Sequence, residues 1–320
     1  MNRKIRTWVE ISLNDLEHNF REISSRLPDG CQMLGVCKAN AYGHGAVRVA
    51  QRLQQAGCQW VAVNCYDEAE ELRAAGVTMN ILLLGPQSAN IAVDLATLGV
   101  TQAVGSIEYA RELNRFLAGT GLRLDAHMKL ETGMGRTGFD VHDDSHLDEM
   151  IEALSLPHLN FTGVFTHFAV SDENGDPYTQ LQFSRITRAI ERMEQATGHR
   201  FAIRHCANSG AVINYPEMHL DMVRPGLLLY GVFPAKETGG LDLRPAMSLY
   251  SRVSDVTHHH KGDTISYGRT FTCPRDMRLA VLPVGYADGL LRSLSGKGDV
   301  LLHGQRAPQV GRSCMDRCMG

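Results

Sequence analysis

Eight short β-rich runs set the strongest limit on what this chain can fold into. They are QMLGVCKA (32–39), QWVAVNC (59–65), NILLLG (80–85), TQAVGS (101–106), LDAHMKLE (124–131), FTGVFTHF (161–168), FAIRHCA (201–207) and DMVRPGLLLYG (221–231). Most are followed by a helix-like segment: AVRVAQRLQQAG, DEAEELRAAG, NIAVDLATLG and IEYARELNRFLAGTG each carry apolar residues at helical spacing. YTQLQFSRITRAIERMEQATG, between the sixth and seventh runs, is the clearest amphipathic helix. Eight strands alternating with helices over about 200 residues predict an α/β fold, a (β/α)8 TIM-type barrel. A doubly wound sheet competes, but no glycine-rich fingerprint follows the first run.

Beyond residue 240 the texture changes. LRPAMSLYSRVSDVTHHHKGDTISYGRTF, MRLAVLPVGYADGL and GDVLLHGQRAPQVGRSCMD read as short strands and turns without helices between them. The expected organisation is a barrel over 1–240 and a mainly β C-terminal domain over 241–320, with the first residues able to pair with the β-domain. The boundary lies near the polar, Gly-containing KETGGLDLRP.

Composition narrows the function. The 320 residues carry a net charge of −3, with 43% hydrophobic and 21% charged residues, as in ordinary soluble globular proteins. This balance supplies no basic field for nucleic acid and no polybasic membrane anchor. There is no apolar run of about 18 residues, and the start, MNRKIRTWVEISLNDLEHNF, lacks a signal-peptide core, so a cytoplasmic location is expected. The 8 cysteines are dispersed in mostly apolar contexts, which suits reduced buried thiols. Cys314 and Cys318 lack a second pair, and His258-His259-His260 reads as a solvated turn, so no metal site is expected.

In a barrel of this kind the working residues lie at the C-terminal ends of strands and in the loops that follow. Lys38 ends the first run, in VCKANAYGHG. A buried ammonium is costly unless paired, and a neutral lysine amine is a nucleophile suited to carbonyl chemistry. Arg136 sits in ETGMGRTGF after the fifth run, His167 ends the sixth, Ser209 follows the seventh, and Arg224 and Gly226 lie at the eighth. The loops after strands seven and eight are a frequent phosphate site of the fold. There Ser209 offers a hydroxyl and Gly226-Leu227 offer unobstructed N–H groups. A reactive lysine and a phosphate cradle at one mouth together fit pyridoxal 5′-phosphate (PLP). Each residue also has a plainer reading: Lys38 with its head in water, His167 as a bonded core histidine, Arg224 in a structural ion pair, Ser209 as a helix N-cap, and the glycines as turn formers.

VCKANAYGHG, KLETGMGRTGF, GVFTHFAVSDE, HCANSGA, DMVRPGLLLYG, ISYGRTF, PVGYADG and GRSCMDRC closely resemble, in order, the motifs of alanine racemases, PLP enzymes built from a barrel and a β-domain. The resemblance implies two-base α-proton transfer between L- and D-alanine. Lys38 would carry PLP and act as one base, and Tyr267 would be the other, on the opposite face and supplied by the partner chain of a homodimer. Arg224 would face the pyridine nitrogen, with His167 between it and Tyr267, tuning the tyrosine toward its anion. Tyr42, Ser209, Gly226 and Leu227 would hold the phosphate. Arg136 and the backbone N–H of Met315 would bind the amino-acid carboxylate. Lys129 matches a position carbamylated in some members, where it braces the arginine, and Tyr286 matches the site entrance. Family members continue beyond SCMDRCMG, so the β-domain is expected to be incomplete. Serine or broader-specificity racemisation, a non-catalytic PLP-binding barrel and a PLP-dependent decarboxylase are the alternatives. SYGRTF argues against the last two.

Overall fold

Side chains along the strand Gln32–Val36 alternate between two clusters: Leu34 and Val36 join Trp60, Ala62, Leu82, Ile203 and Met222, whereas Met33 joins Val49, Leu53 and Leu72. A period of two that buries both faces is the mark of a parallel strand wrapped by helices. The computed structural model describes residues 6–320, and these fall into two units: Ser12–Ala246, and residues 6–11 with Met247–Gly320.

The larger unit is a barrel. Its strands are Gln32–Val36, Trp60–Val63, Asn80–Leu83, Thr101–Val104, Leu124–Glu131, Leu159–Phe165, Ile203–His205 and Met222–Val223. Each successive pair from the first to the seventh is parallel, and the eighth pairs with the first. The seam between the seventh and eighth is joined by single backbone bonds, Asp221 N–H to Arg204 O at 3.0 Å and Arg224 N–H to Ala207 O at 2.9 Å. Each of the eight runs read from sequence carries one of these strands. Helix Leu147–Ser155, after the fifth strand, has no counterpart among the segments singled out from sequence. The long helix Pro177–Thr197 starts where the Asp176 carboxylate accepts the Tyr178 N–H and Pro177 pre-sets φ, and it stops at Gly198 with φ +71°.

The barrel interior has two characters. On the side of the first three strands it is apolar. On the side of the fifth to eighth it holds His127, Lys129, His205 and Arg224, all buried. Their hydrogen bonds have a fixed direction, because a guanidinium only donates. Arg224 Nη1 donates to His205 Nδ1 at 3.0 Å, so the His205 proton lies on Nε2, which donates to His127 Nδ1 at 2.9 Å. The His127 proton then lies on Nε2, which has no acceptor among the described residues. Space for this ring comes from Gly163 on the sixth strand: a Cβ there would stand 2.6 Å from His127 Nε2.

The second unit is mainly β. Thr7–Ile11 pairs antiparallel with Met247–Ser251, and Met277–Leu282 lies between Asp255–His259 and Cys318–Met319. Two hairpins, Thr264–Ile265 with Phe271–Thr272 and Asp299–Leu302 with Gln305–Pro308, complete it. His258 and His259 end a strand, opposite Arg278 and Met277, where the sequence suggested a turn. All eight cysteines are free, and five are buried. Among the described residues no helix is long and apolar enough to cross a membrane.

Two outcomes follow from the buried histidines. Gly163→Ala is expected to lose about 1–3 kcal/mol in urea unfolding, because the ring cannot yield without leaving His205. Burial, then the Arg224 charge, pushes His127 down to about 3. The unfolded chain therefore takes up a proton below about pH 6.5 that the folded chain refuses, and stability falls as pH drops from there toward 3. The loss from this residue is about 2 kcal/mol by pH 5. His127→Asn should remove that part of the pH slope in unfolding titrations at pH 7 and pH 5.

Candidate active site

Lys38 is half-buried two residues beyond the first strand, past the strand end assumed from sequence. The chain after it coils the wrong way: Ala39, Asn40, Ala41 and Tyr42 have φ of +52°, +53°, +54° and +54°. Left-handed backbone costs roughly 1–2 kcal/mol per residue away from glycine and asparagine, and it normally occurs singly. The turn has local partners. Asn40 Oδ1 accepts the Ala46 N–H at 2.8 Å, starting helix Ala46–Gln55. Gly43, at φ +83°, ends the turn. Tyr230 packs its ring 5.1 Å from that of Tyr42 and 4.4 Å from that of His44, and its hydroxyl donates to Val36 O at 2.8 Å.

The turn opens onto a cavity of about 530 Å³ at the C-terminal ends of the barrel strands, a size that suits a small cofactor or ligand. Lys38, Tyr42, Lys129, Arg136, His167, Ser209, Arg224, Gly226 and Leu227 all line it. Its ionisable lining is unbalanced, with four basic side chains (Lys38, Lys129, Arg136, Arg224) against Asp172 alone. Arg224 is 4% exposed and makes no ion pair among the described residues, which sets aside the reading of a structural salt bridge. Besides His205 it donates through Nη2 to Thr166 O at 2.8 Å, Cys206 O at 3.2 Å and His167 Nδ1 at 3.3 Å. Its Nε–H has no acceptor among the described residues. Burial lowers Arg224 to about 10, which still leaves it protonated near neutral pH.

This cation shapes its neighbours. Burial, then Arg224, pushes His167 down to about 2, so it is neutral, and accepting at Nδ1 leaves its Nε2–H free to donate. Lys129 lies well below its ordinary value through burial, Arg224 and Arg136, and its Nζ sits 4.7 Å over the Phe165 ring. Lowered basicity favours the unprotonated amine, the form that reacts with carbon dioxide.

Arg136 is exposed, on a turn in which Gly133, Gly135 and Gly138 have φ of +139°, +66° and +136°, so these glycines are needed for conformation. Glu131 holds the turn: its carboxylate accepts the Gly133 N–H at 2.5 Å and the Arg136 N–H at 3.1 Å. Burial acts to raise Glu131, but the N–H groups of the turn outweigh it and hold the carboxyl below its ordinary value.

Ser209 is the first residue of helix Ser209–Asn214. The N-cap is Asn208, whose side chain accepts the Ala211 N–H, and this corrects the N-cap reading of Ser209. The Ser209 hydroxyl accepts the Gly226 N–H at 3.0 Å. A Cβ on Gly226 would stand 2.7 Å from the Tyr42 hydroxyl, so a larger residue there would displace that hydroxyl from the cradle of Tyr42, Ser209 and Gly226. An excess of positive charge, a donor-lined cradle and an amine at one cavity fit a phosphate-bearing carbonyl compound such as PLP.

The smaller unit gathers the remaining candidates on three linked loops. The Ser266 hydroxyl donates to Arg312 O at 2.6 Å, Tyr286 N–H to Cys314 O at 3.2 Å and Ala287 N–H to Met315 O at 2.9 Å. Tyr267 and Met315 are 66% and 55% exposed, and Tyr286 is also exposed. A Cβ on Gly285 would stand 2.2 Å from Met315 O, so the two loops approach too closely for any other residue.

His127, His205, Glu131 and Tyr230 were not singled out from sequence. His127 and Lys129 are two apart in LDAHMKLE, between apolar Ala126, Met128 and Leu130, and that alternation could have placed both in the barrel interior.

Residues 11–234 match the family model for the alanine racemase N-terminal domain, and 246–320 that for the C-terminal domain. An alanine racemase of Desulforamulus reducens is 44% identical, with 98% of this chain covering 84% of that protein. The solved alanine racemase of Clostridium difficile 630 superposes with a TM-score of 0.91 at 36% identity, over 99% of this chain and 83% of that one. A histidine racemase of Leuconostoc mesenteroides superposes at 0.87 with 29% identity, over 99% and 84%. The barrel-plus-β architecture, the ordered motifs and these similarities agree: the chain belongs to the alanine racemase family of isomerases.

Proposed function

We propose that this chain is a PLP-dependent racemase that interconverts L- and D-alanine by two-base α-proton transfer. The observation that carries the reading is that one cavity is lined by Lys38, by the Ser209–Gly226 cradle and by the Arg136 and Arg224 guanidinium groups. When bound, PLP supplies an aldehyde that condenses with amines and a ring that accepts the electron pair left by the α-proton.

The chain's own residues do the rest. Tyr42, Ser209 and the N–H groups at Gly226 and Leu227 bind the phosphate. Arg224 would face the ring nitrogen and, because it keeps its proton, would leave that nitrogen unprotonated. This limits the electron sink and discourages side reactions such as transamination. Arg136 and the Met315 N–H orient the substrate carboxylate, and carbamylated Lys129 braces Arg136. Lys38 Nζ moves a proton on one face of Cα. Tyr267 Oη, from the second copy in a homodimer, moves a different proton on the opposite face, with the His167 Nε2–H in hydrogen-bonding line toward it.

The histidine racemase neighbour supports a second reading, in which the same machinery accepts a larger amino acid. L-serine, which adds one hydroxyl to alanine, and L-histidine, the substrate named for that neighbour, belong in the same assay.

Two variants separate the roles. Lys38→Ala should abolish both borohydride-trapped pyridoxyl adduct and racemisation. Tyr267→Phe should leave the adduct intact and lower racemisation by about 10²-fold or more. Loss of adduct in Tyr267→Phe equal to its loss of activity would refute the division of labour.

A further inference from the structure

Glu68 lies outside the cavity lining, on the helix Tyr66–Ala74 that follows the second strand. It occupies the third position of that helix, after N-cap Cys65. A glutamate there ordinarily reaches back to the N–H of its own N-cap. This one reaches further: Oε2 accepts the Asn64 N–H at 2.7 Å and Oε1 accepts the Ala39 N–H at 2.6 Å. The bond to Asn64 resembles helix capping. The bond to Ala39 does not, because it crosses to a different strand end, 29 residues away in sequence.

Ala39 directly follows Lys38 and is the first of the four left-handed residues. Its N–H lies at the junction between strand-derived and left-handed backbone, where a shift of φ would swing the whole Lys38 side chain. Charge-assisted bonds of this length are among the stronger ones available to an N–H donor. The same carboxylate fixes the backbone of Asn64, which lines the cavity as Lys38 does.

We propose that Glu68 is the positioning residue of Lys38: its carboxylate holds the left-handed turn in place, and through the backbone it fixes where the amine stands in the cavity. The inference rests on Lys38 being the PLP-bearing lysine. It adds that this lysine is held from behind by an acid that touches neither cofactor nor substrate. Glu68→Gln tests it, because an amide offers one oxygen where two N–H donors must be met. Gln54→Ala is the control. Gln54 Oε1 accepts the Thr78 and Met79 N–H groups, a clamp of the same kind before the third strand, at the opposite end of the barrel.

Two readouts on the full chain are needed. One is hydrogen exchange of the Ala39 and Asn64 amides without PLP; the other is the rate of borohydride-trapped PLP attachment to Lys38, read by peptide mass. Glu68→Gln should speed exchange at Ala39 by roughly tenfold or more, the loss of one good hydrogen bond. It should slow attachment at Lys38 by a similar factor, while Gln54→Ala leaves both unchanged. Attachment at the unaltered rate in Glu68→Gln would overturn the proposal, as would equal slowing by both variants, which would mark a general loss of stability. No adduct on Lys38 in the unsubstituted chain would overturn the PLP reading itself, and this inference with it. If Glu68→Gln does not fold, Glu68→Asp keeps both oxygens but shortens their reach, and the same criteria apply with a smaller change.

Discussion

A guanidinium buried without a carboxylate is the constraint from which the rest of the barrel mouth follows. Arg224 meets only neutral acceptors: two backbone carbonyls and two histidine nitrogens. Removing such a charge from water is costly, and neutral dipoles offset that cost only when their orientation is fixed. The orientation here runs through the barrel as a one-way chain, Arg224 to His205 to His127, and ends at a ring that fits only because the sixth strand has glycine opposite it. Burial, and then the same charge, keeps His167 neutral and depresses Lys129. A pocket so short of negative charge is prepared for an anion.

Around that fixed centre, backbone geometry is set by carboxylates placed behind the site. Glu131 gathers the N–H groups of the Arg136 turn, and Glu68 bridges the ends of the first and second strands. Both act through main-chain donors, so the cavity gains ordered loops without gaining negative charge. The left-handed turn after Lys38 is strained, and strain of this kind persists only where surrounding contacts over-determine it. Here the contacts are Glu68, the Asn40 side chain and the Tyr230 ring.

Much of this was legible in the sequence because periodicity reports burial. Eight apolar runs became eight strands, and Lys38, Arg136, His167, Ser209, Arg224 and Gly226 line one cavity because the barrel fold sends the loops after its strands to one end. Other features were not legible, for particular reasons. The direction of the histidine chain depends on a donor and an acceptor 19 residues apart meeting inside the barrel. Glu68 reads as one acid among several in DEAEEL, and only the close approach of another strand end distinguishes it. Handedness at Ala39–Tyr42 is written in no propensity, since alanine and tyrosine disfavour it. At Asn208-Ser209 two good capping residues adjoin, and the geometry selects Asn208.

The account stands or falls on whether Lys38 and Tyr267 work as a pair of bases around bound PLP. The most direct test is α-proton exchange of L-alanine in heavy water with added PLP, reading deuterium uptake and product chirality in one sample. The account predicts deuterium at Cα together with D-alanine. Deuterium uptake with the L-form retained would contradict the two-base claim and leave a single base at work, and no uptake with L-alanine, L-serine or L-histidine would contradict α-proton chemistry altogether.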